Sequence, residues 1–207
     1  ASDEYARLSV AQRRIVDHEI RDFRLGGAEL AAEDKPRFQA IAEELAQLSA
    51  KFSENLLDAT NAFAEVLSDE SELAGLPDDA RQAAREAAER DGKSGWKFTL
   101  QMPSYLPVMQ YADSRRLRAA MYRAYATRAA EFGPSELDNT PLIRRILELR
   151  REAAQLLGYN NHAEVSLVPK MAESVAQVLA FLRDLAIKAK PFAERDIAEL
   201  RDFARQE

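Results

Sequence analysis

The side chains able to do metal or acid–base chemistry are few, and their spacing does not gather them. There are two histidines, His18 and His162, at opposite ends of the sequence. His18 is followed by Glu19, but position 22 is Asp22, so the HExxH pattern is absent. That pattern sets two imidazoles on one helix face beside a general base. Carboxylates are plentiful, with 35 Asp and Glu, yet no spacing selects a set that would join either histidine around a metal. His18 therefore reads as a helix-surface residue and His162 as a packing or hydrogen-bonding residue near a helix start. The phosphate-cradling patterns GxxxxGK[ST] and GxGxxG do not occur, nor does the GxSxG nucleophile turn. Gly26-Gly27 reads as a helix terminator. The acid pairs Glu43-Glu44 and Asp78-Asp79 suit solvated faces or helix starts. There is no cysteine, which removes disulfides and thiolate metal ligands. The expectation is no catalytic and no metal-binding residue within the chain, with substrate-contacting residues unassigned.

Arginine pairs are the next candidates. Arg115-Arg116, Arg144-Arg145 and Arg150-Arg151 would suit a phosphate or carboxylate grip, but an ion-paired helix face is the default reading. Arg144 and Glu148 stand four apart and can pair, as can Arg151 and Gln155. Tyr105, Tyr111, Tyr122 and Tyr125 would line a groove or pack in a core. The helical spacing of Tyr122 and Tyr125 favours packing.

These residues must be positioned by helices. Gly (7) and Pro (8) are scarce among 207 residues, and Ala, Glu, Leu and Arg dominate. Ser9 is a plausible N-cap, followed by a stripe of Ile15, Val16, Glu19, Ile20 and Phe23. The clearest element carries Phe38, Ile41, Leu45, Leu48, Phe52, Leu56, Ala59, Phe63 and Val66 at spacings of three and four, with Pro36 in its first turn. Its last part, Phe63 to Leu67, also suits a strand that pairs with Trp96 to Leu100, where apolar and polar residues alternate. Asp69 to Leu76 reads as a turn-rich connection and Asp78 to Arg90 as an Ala-rich helix stopped by Gly92 and Gly95. Pro103 and Pro107 predict a stiff non-helical corner around Ser104-Tyr105-Leu106.

Helix resumes after Asp113 or Ser114 with Leu117, Met121, Tyr122 and Tyr125 on one side. A polar loop spans Glu131 to Asn139. Asn139 or Thr140 then caps a helix with Pro141 at its start and Gly158 after its end, buried through Ile143, Ile146, Leu147, Ala153, Ala154 and Leu157. A short helix follows around His162 to Leu167. Ser174 caps the last, whose stripe runs from Val178, Phe181, Leu182 and Leu185 to Ile197, Leu200 and Phe203. No Gly, Asn or Pro stops it near Glu207, as expected of a cut through a longer helix, and the opening residue Ala1 fits a processed or excised segment. The fold class predicted is all-α: a multi-helix scaffold with one long helix and at most a small two-stranded β-pair. Residues 1–207 read as one helical segment without an internal boundary.

The net charge of −6 and a pI near 5.2 argue against a general nucleic-acid partner. No apolar run approaches the roughly 20 residues that span a bilayer, and no signal peptide is visible, so no membrane partner and a cytoplasmic location are expected.

Several stretches, in order, resemble the thimet-oligopeptidase family of zinc metallopeptidases. They are Asp22-Phe23-Arg24-Leu25-Gly26-Gly27, Asn55-Leu56-Leu57-Asp58-Ala59-Thr60 and Glu72-Leu73-Ala74-Gly75-Leu76-Pro77, then PSYLPVMQYAD from Pro103 to Asp113 and MYRAYATRA from Met121 to Ala129. Asp138-Asn139-Thr140, LRREAAQLLGY from Leu149 to Tyr159 and Lys170-Met171-Ala172-Glu173 complete the series. Val168-Pro169 departs slightly from the pattern. The resemblance implies a larger, mostly helical enzyme whose two lobes wall a channel that admits short peptides. Zinc is then held by an HExxH pair and a distant Glu, and none of those residues matches a position here.

The resemblance thus implies that the chain is a non-catalytic wall fragment preceding the zinc motif. Zinc belongs to the full-length parent and none to this chain. The partners implied are oligopeptide substrates of the parent and the missing catalytic half of the same polypeptide. The rival reading is a stand-alone helical interaction module that uses the Phe38–Val66 stripe against a partner helix.

Overall fold

A computed structural model describes residues 3–206. Readings that concern Ala1 and Glu207 lie outside the described residues. Nine α-helices, one antiparallel strand pair and two short 3-10 turns, Glu70–Leu73 and Ser135–Leu137, account for the regular structure of the described residues: α1 Asp3–Arg7, α2 Val10–Leu25, α3 Lys35–Ala62, β1 Ala64–Leu67, α4 Asp78–Arg90, β2 Trp96–Thr99, α5 Met102–Tyr111, α6 Arg115–Ala126, α7 Thr140–Leu156, α8 His162–Leu167 and α9 Val175–Phe203. The fold is all-α with a two-stranded addition, as the periodicity predicts.

Local chemistry sets most of the boundaries. Ser9 starts α2 with a capping box: its side chain accepts from the Gln12 amide, and the Gln12 side chain accepts from the Ser9 amide. Asn161 and Ser174 cap α8 and α9 with their side chains alone, which accept from the amides of Glu164 and Gln177. Gly158 follows α7 at φ +82°, and the Tyr159 amide returns to the Ala154 carbonyl, which ends the helix. The 28 residues of α3 stop where Phe63 leads into β1, whose Ala64, Glu65, Val66 and Leu67 face Thr99, Phe98, Lys97 and Trp96.

One expected corner is a helix instead. Pro103 and Pro107 both lie within α5. Pro103 occupies the first turn, where its missing N–H has no helical partner to lose. Pro107 forfeits one bond, and burial of Tyr105 and Val108 on that helix outweighs the loss.

The chain divides into two compact units, one of Ala1–Ile41 with Glu148–Glu207, the other of Ala42–Leu147. The second holds a continuous apolar core. Leu67, Leu73, Leu76, Ala84, Phe98, Leu100, Tyr105, Val108, Ala112, Leu117 and Met121 pack together, with Phe63, Trp96 and Tyr125 at its edge. Here α4 contributes through small residues: Ala84 and Ala88 are buried because alanine lets the helix backbone approach the strand pair closely.

In the first unit the expected stripes are exposed. No residue of α2 or α9 is buried among those described, and Phe23 and Phe181 retain 67% and 65% of their surface. From Phe181 to Gln206 every residue is exposed. On α7 the buried positions are Leu149 and Ala154, whereas Ile143 and Leu147 face outward.

Candidate functional site

The residues singled out by type fall into three groups. His18 lies exposed on α2, and His162 begins α8. Partial burial, reinforced by the charges of Arg150 and Lys170, holds the His162 imidazole below its ordinary pKa. Among the described residues no group of three His, Asp or Glu side chains is placed to hold a metal ion. The described residues therefore do not fit the zinc set that the family resemblance brings with it.

One arginine in each of two pairs, Arg116 and Arg145, is committed to carboxylates. Arg116 spans two acids, its Nε donating to Glu72 Oε2 and its Nη1 to Glu65 Oε1, both at 2.7 Å. Arg145 holds Glu44, one of the acids of the Glu43-Glu44 pair. Asp78 and Asp79 stand in the first turn of α4, where carboxylates favour the helix dipole. In the first unit Arg37 grips Glu152 through Nε and Nη2 at 2.5 and 2.6 Å.

The tyrosines split. Tyr105 is buried and stacks on Tyr125 with ring centroids 4.3 Å apart, and the Arg128 guanidinium covers the other side of Tyr125 at 3.6 Å. Burial pushes the Tyr105 hydroxyl pKa up. Arg128 also donates from Nε to the Tyr125 carbonyl and from Nη1 to Thr60 Oγ1, so the stack is fixed to α3. Tyr111 and Tyr122 are more than half exposed and take no part in the core. The geometry thus makes a structural clamp of two tyrosines, not a four-ring groove.

Sequence reasoning missed a buried amide pair. Asn55 on α3 donates from Nδ2 to Asn139 Oδ1 at 3.0 Å, and Asn139 Nδ2 donates to the Phe52 carbonyl at 3.0 Å. Asn139 therefore joins α7 to α3 with its side chain, while Asp138 Oδ1 accepts from the Thr140 amide at the helix start. The signal was present in Asp138-Asn139-Thr140, where Asn139 or Thr140 reads as the cap, but the side chain that accepts from the helix-start amide is that of Asp138. Only α3 across from them separates the roles. The Asn139 amide also bonds to the carbonyl of Ala129, a residue at φ +48°, which closes the neck of the α6–α7 connection.

What remains uncommitted is apolar surface. On α9, Phe181, Leu182, Leu185, Phe192, Leu200 and Phe203 share one broad face, each at least half exposed, while Arg183, Asp184, Arg195, Arg201 and Asp202 occupy the other side. A soluble monomer rarely leaves such a continuous apolar face open to water. No described helix is long and apolar enough to cross a membrane.

The model of peptidase family M3 matches residues 108–207. The chain is 48% identical over 207 residues to oligopeptidase A of Salmonella typhimurium, covering 99% of this chain and 30% of that protein. Oligopeptidase A of Escherichia coli gives the same identity and coverage. The organellar oligopeptidase A of Arabidopsis thaliana is 43% identical, over all of this chain and 26% of its own length. The chain thus spans less than a third of the length of these relatives.

Proposed function

Because the chain is related along its whole length to the thimet-oligopeptidase family of peptidases, we propose that it forms a non-catalytic helical wall of a zinc metalloendopeptidase that hydrolyses short oligopeptides. In this reading the zinc ligands and the general base come from polypeptide outside these residues. The open apolar faces of α2 and α9 are covered by that polypeptide, and the 207 residues alone cleave nothing. The full enzyme acts in the cytoplasm.

The observation that carries the reading is the pairing of 48% identity across 99% of the chain with coverage of only 30% of the relative. One structural feature of the described residues supports it. Their core is concentrated in one unit, while the helices of the other present apolar faces to solvent.

The rival, a stand-alone interaction module built on the α3 stripe, fares less well. Ile41 of that stripe is buried, and Phe38, Leu45, Leu48, Phe52 and Leu56 are half-buried within the chain itself.

Two measurements test the proposal. Reading the gene past the codon for Glu207 is expected to reveal HExxH followed by a later glutamate; an immediate stop codon defeats it. Incubating the chain with a fluorogenic oligopeptide and added zinc is expected to give no cleavage. Chelator-sensitive turnover that persists through repurification would show that the metal site lies within these residues.

A further inference from the structure

The second unit contains a cavity of about 290 Å³ between α4, β2 and the first turn of α5. One wall is made of methyl groups, because Ala80, Ala83 and Ala87 recur along α4 at spacings of three and four. The rim carries charge. Lys97 is held by Asp91, with Nζ 2.6 Å from Oδ2. Arg90 makes no ion pair or hydrogen bond at contact distance among the described residues, although its charge helps to lower the Asp91 pKa. On the far side Ser104 Oγ accepts the Thr99 amide, which leaves its hydroxyl proton able to donate.

In a chain of net charge −6, this rim is locally cationic, with Arg90 and Lys97 facing one carboxylate. The arrangement selects a ligand with two ends. A guanidinium presents a planar fork that fits a carboxylate through two parallel hydrogen bonds. A methyl wall offers nothing to a polar group and lies flat against an apolar one. The volume is at the lower end of the roughly 300–1,000 Å³ of small-ligand pockets, so the occupant is short. We propose that this cavity binds the free C-terminal residue of a short peptide, its carboxylate on Arg90 and its side chain against Ala83 and Ala87. The proposal rests on the cavity alone and does not depend on the peptidase reading.

The test is an amide-resolved NMR titration of the 207-residue chain with three probes: alanyl-leucine, its C-terminal amide and inorganic phosphate. The dipeptide is expected to shift amides of α4, β2 and the start of α5 in a saturating manner. The amidated form and the Arg90→Gln variant should each bind about tenfold or more weakly, as loss of a charge-assisted contact implies. Ala83→Leu, at an exposed wall position, should fill the cavity and abolish the shifts while the remaining spectrum is unchanged. Equal binding of acid and amide, or no saturating shift at tens of millimolar dipeptide, overturns the proposal. So does phosphate binding as tight as the dipeptide's and unaffected by Ala83→Leu, which would make the rim a general anion site.

Discussion

Arg145 holds Glu44 across 101 positions of sequence, Nε donating to Oε1 at 2.6 Å and Nη2 to Oε2 at 2.9 Å. The two side chains keep 41% and 35% of their exposure, so solvent screens the attraction and only the two-pronged geometry lifts it above an ordinary surface pair. A double-mutant cycle of Arg145→Met and Glu44→Gln in urea should give a coupling of about 0.5–1 kcal/mol, falling as salt is raised. A coupling that salt leaves unchanged would show that packing, not charge, joins the pair.

Asn139 and Asn55 should behave differently on truncation. Asn139→Ala strands the Asn55 amide and removes a second bond to the Phe52 carbonyl in a site where both asparagines are 2–3% exposed, at a cost of about 2–3 kcal/mol. Asn55→Ala leaves Asn139 Oδ1 without its donor but also removes an Oδ1 that already lacks a hydrogen-bond partner, so one unsatisfied atom replaces another and its cost should be smaller. Equilibrium urea unfolding of the two variants checks the order, and equal losses would mean that Asn139 does not carry the junction.

Two glycines of similar backbone make a sharp contrast. Gly75 at φ +83° would bring a Cβ to 2.1 Å from the Tyr111 carbonyl oxygen, whereas Gly92 at φ +66° has open space around it. Gly92→Ala should cost about 1–2 kcal/mol, from left-handed backbone strain alone. Gly75→Ala must in addition push the end of α5 aside, and its melting temperature should fall well below that of Gly92→Ala.

Amides of α9 beyond Phe181 should exchange with solvent far faster than those around Leu117 and Met121. Exposed helical hydrogen bonds open locally, whereas core ones need the unit to unfold. Limited trypsin digestion should accordingly cut first at Lys188, Arg195 or Arg201. In the complete polypeptide the same amides should become protected. Protection in the 207-residue chain alone would mean that α9 is already covered, for instance by self-association.

The pH dependence follows from His162. Its folded pKa lies below the unfolded value of 6.5, so the unfolded chain binds the proton more readily. Stability should therefore fall as pH drops below 6.5 and level off once the folded imidazole is also protonated. His162→Gln should remove that part of the slope. A ¹H–¹⁵N titration of the imidazole that gives a midpoint above 6.5 would reverse the sign.

Local signals were legible because they depend on near neighbours. Ser9, Ser174 and Gly158 announce helix ends through bonds to amides and carbonyls within a few positions, and the alternation at Trp96 to Leu100 announces a strand. The α5 prolines misled for the same reason. Local chemistry counts the hydrogen bond lost at Pro107 but not the burial of Tyr105 and Val108 that overrides it.

The candidate site was less legible. The stripe of α9 is plain in the sequence, but periodicity reports only that a helix has an apolar side, and α3 and α9 show equally regular patterns with opposite fates. The roles of Asn139 and Arg128 needed the carbonyl of Phe52 and the hydroxyl of Thr60, far away in sequence. The cavity beside Arg90 arose from alanines that read only as helix formers.

By itself, then, the sequence determined which segments other than α5 become helix or strand, where most of them stop, and that no HExxH pair lies within the chain, because spacing and neighbouring hydrogen bonds are written along the backbone. Only the tertiary structure decided which stripes are buried, which arginines are committed and which asparagine joins two helices, because burial and pairing depend on surfaces brought together from distant positions.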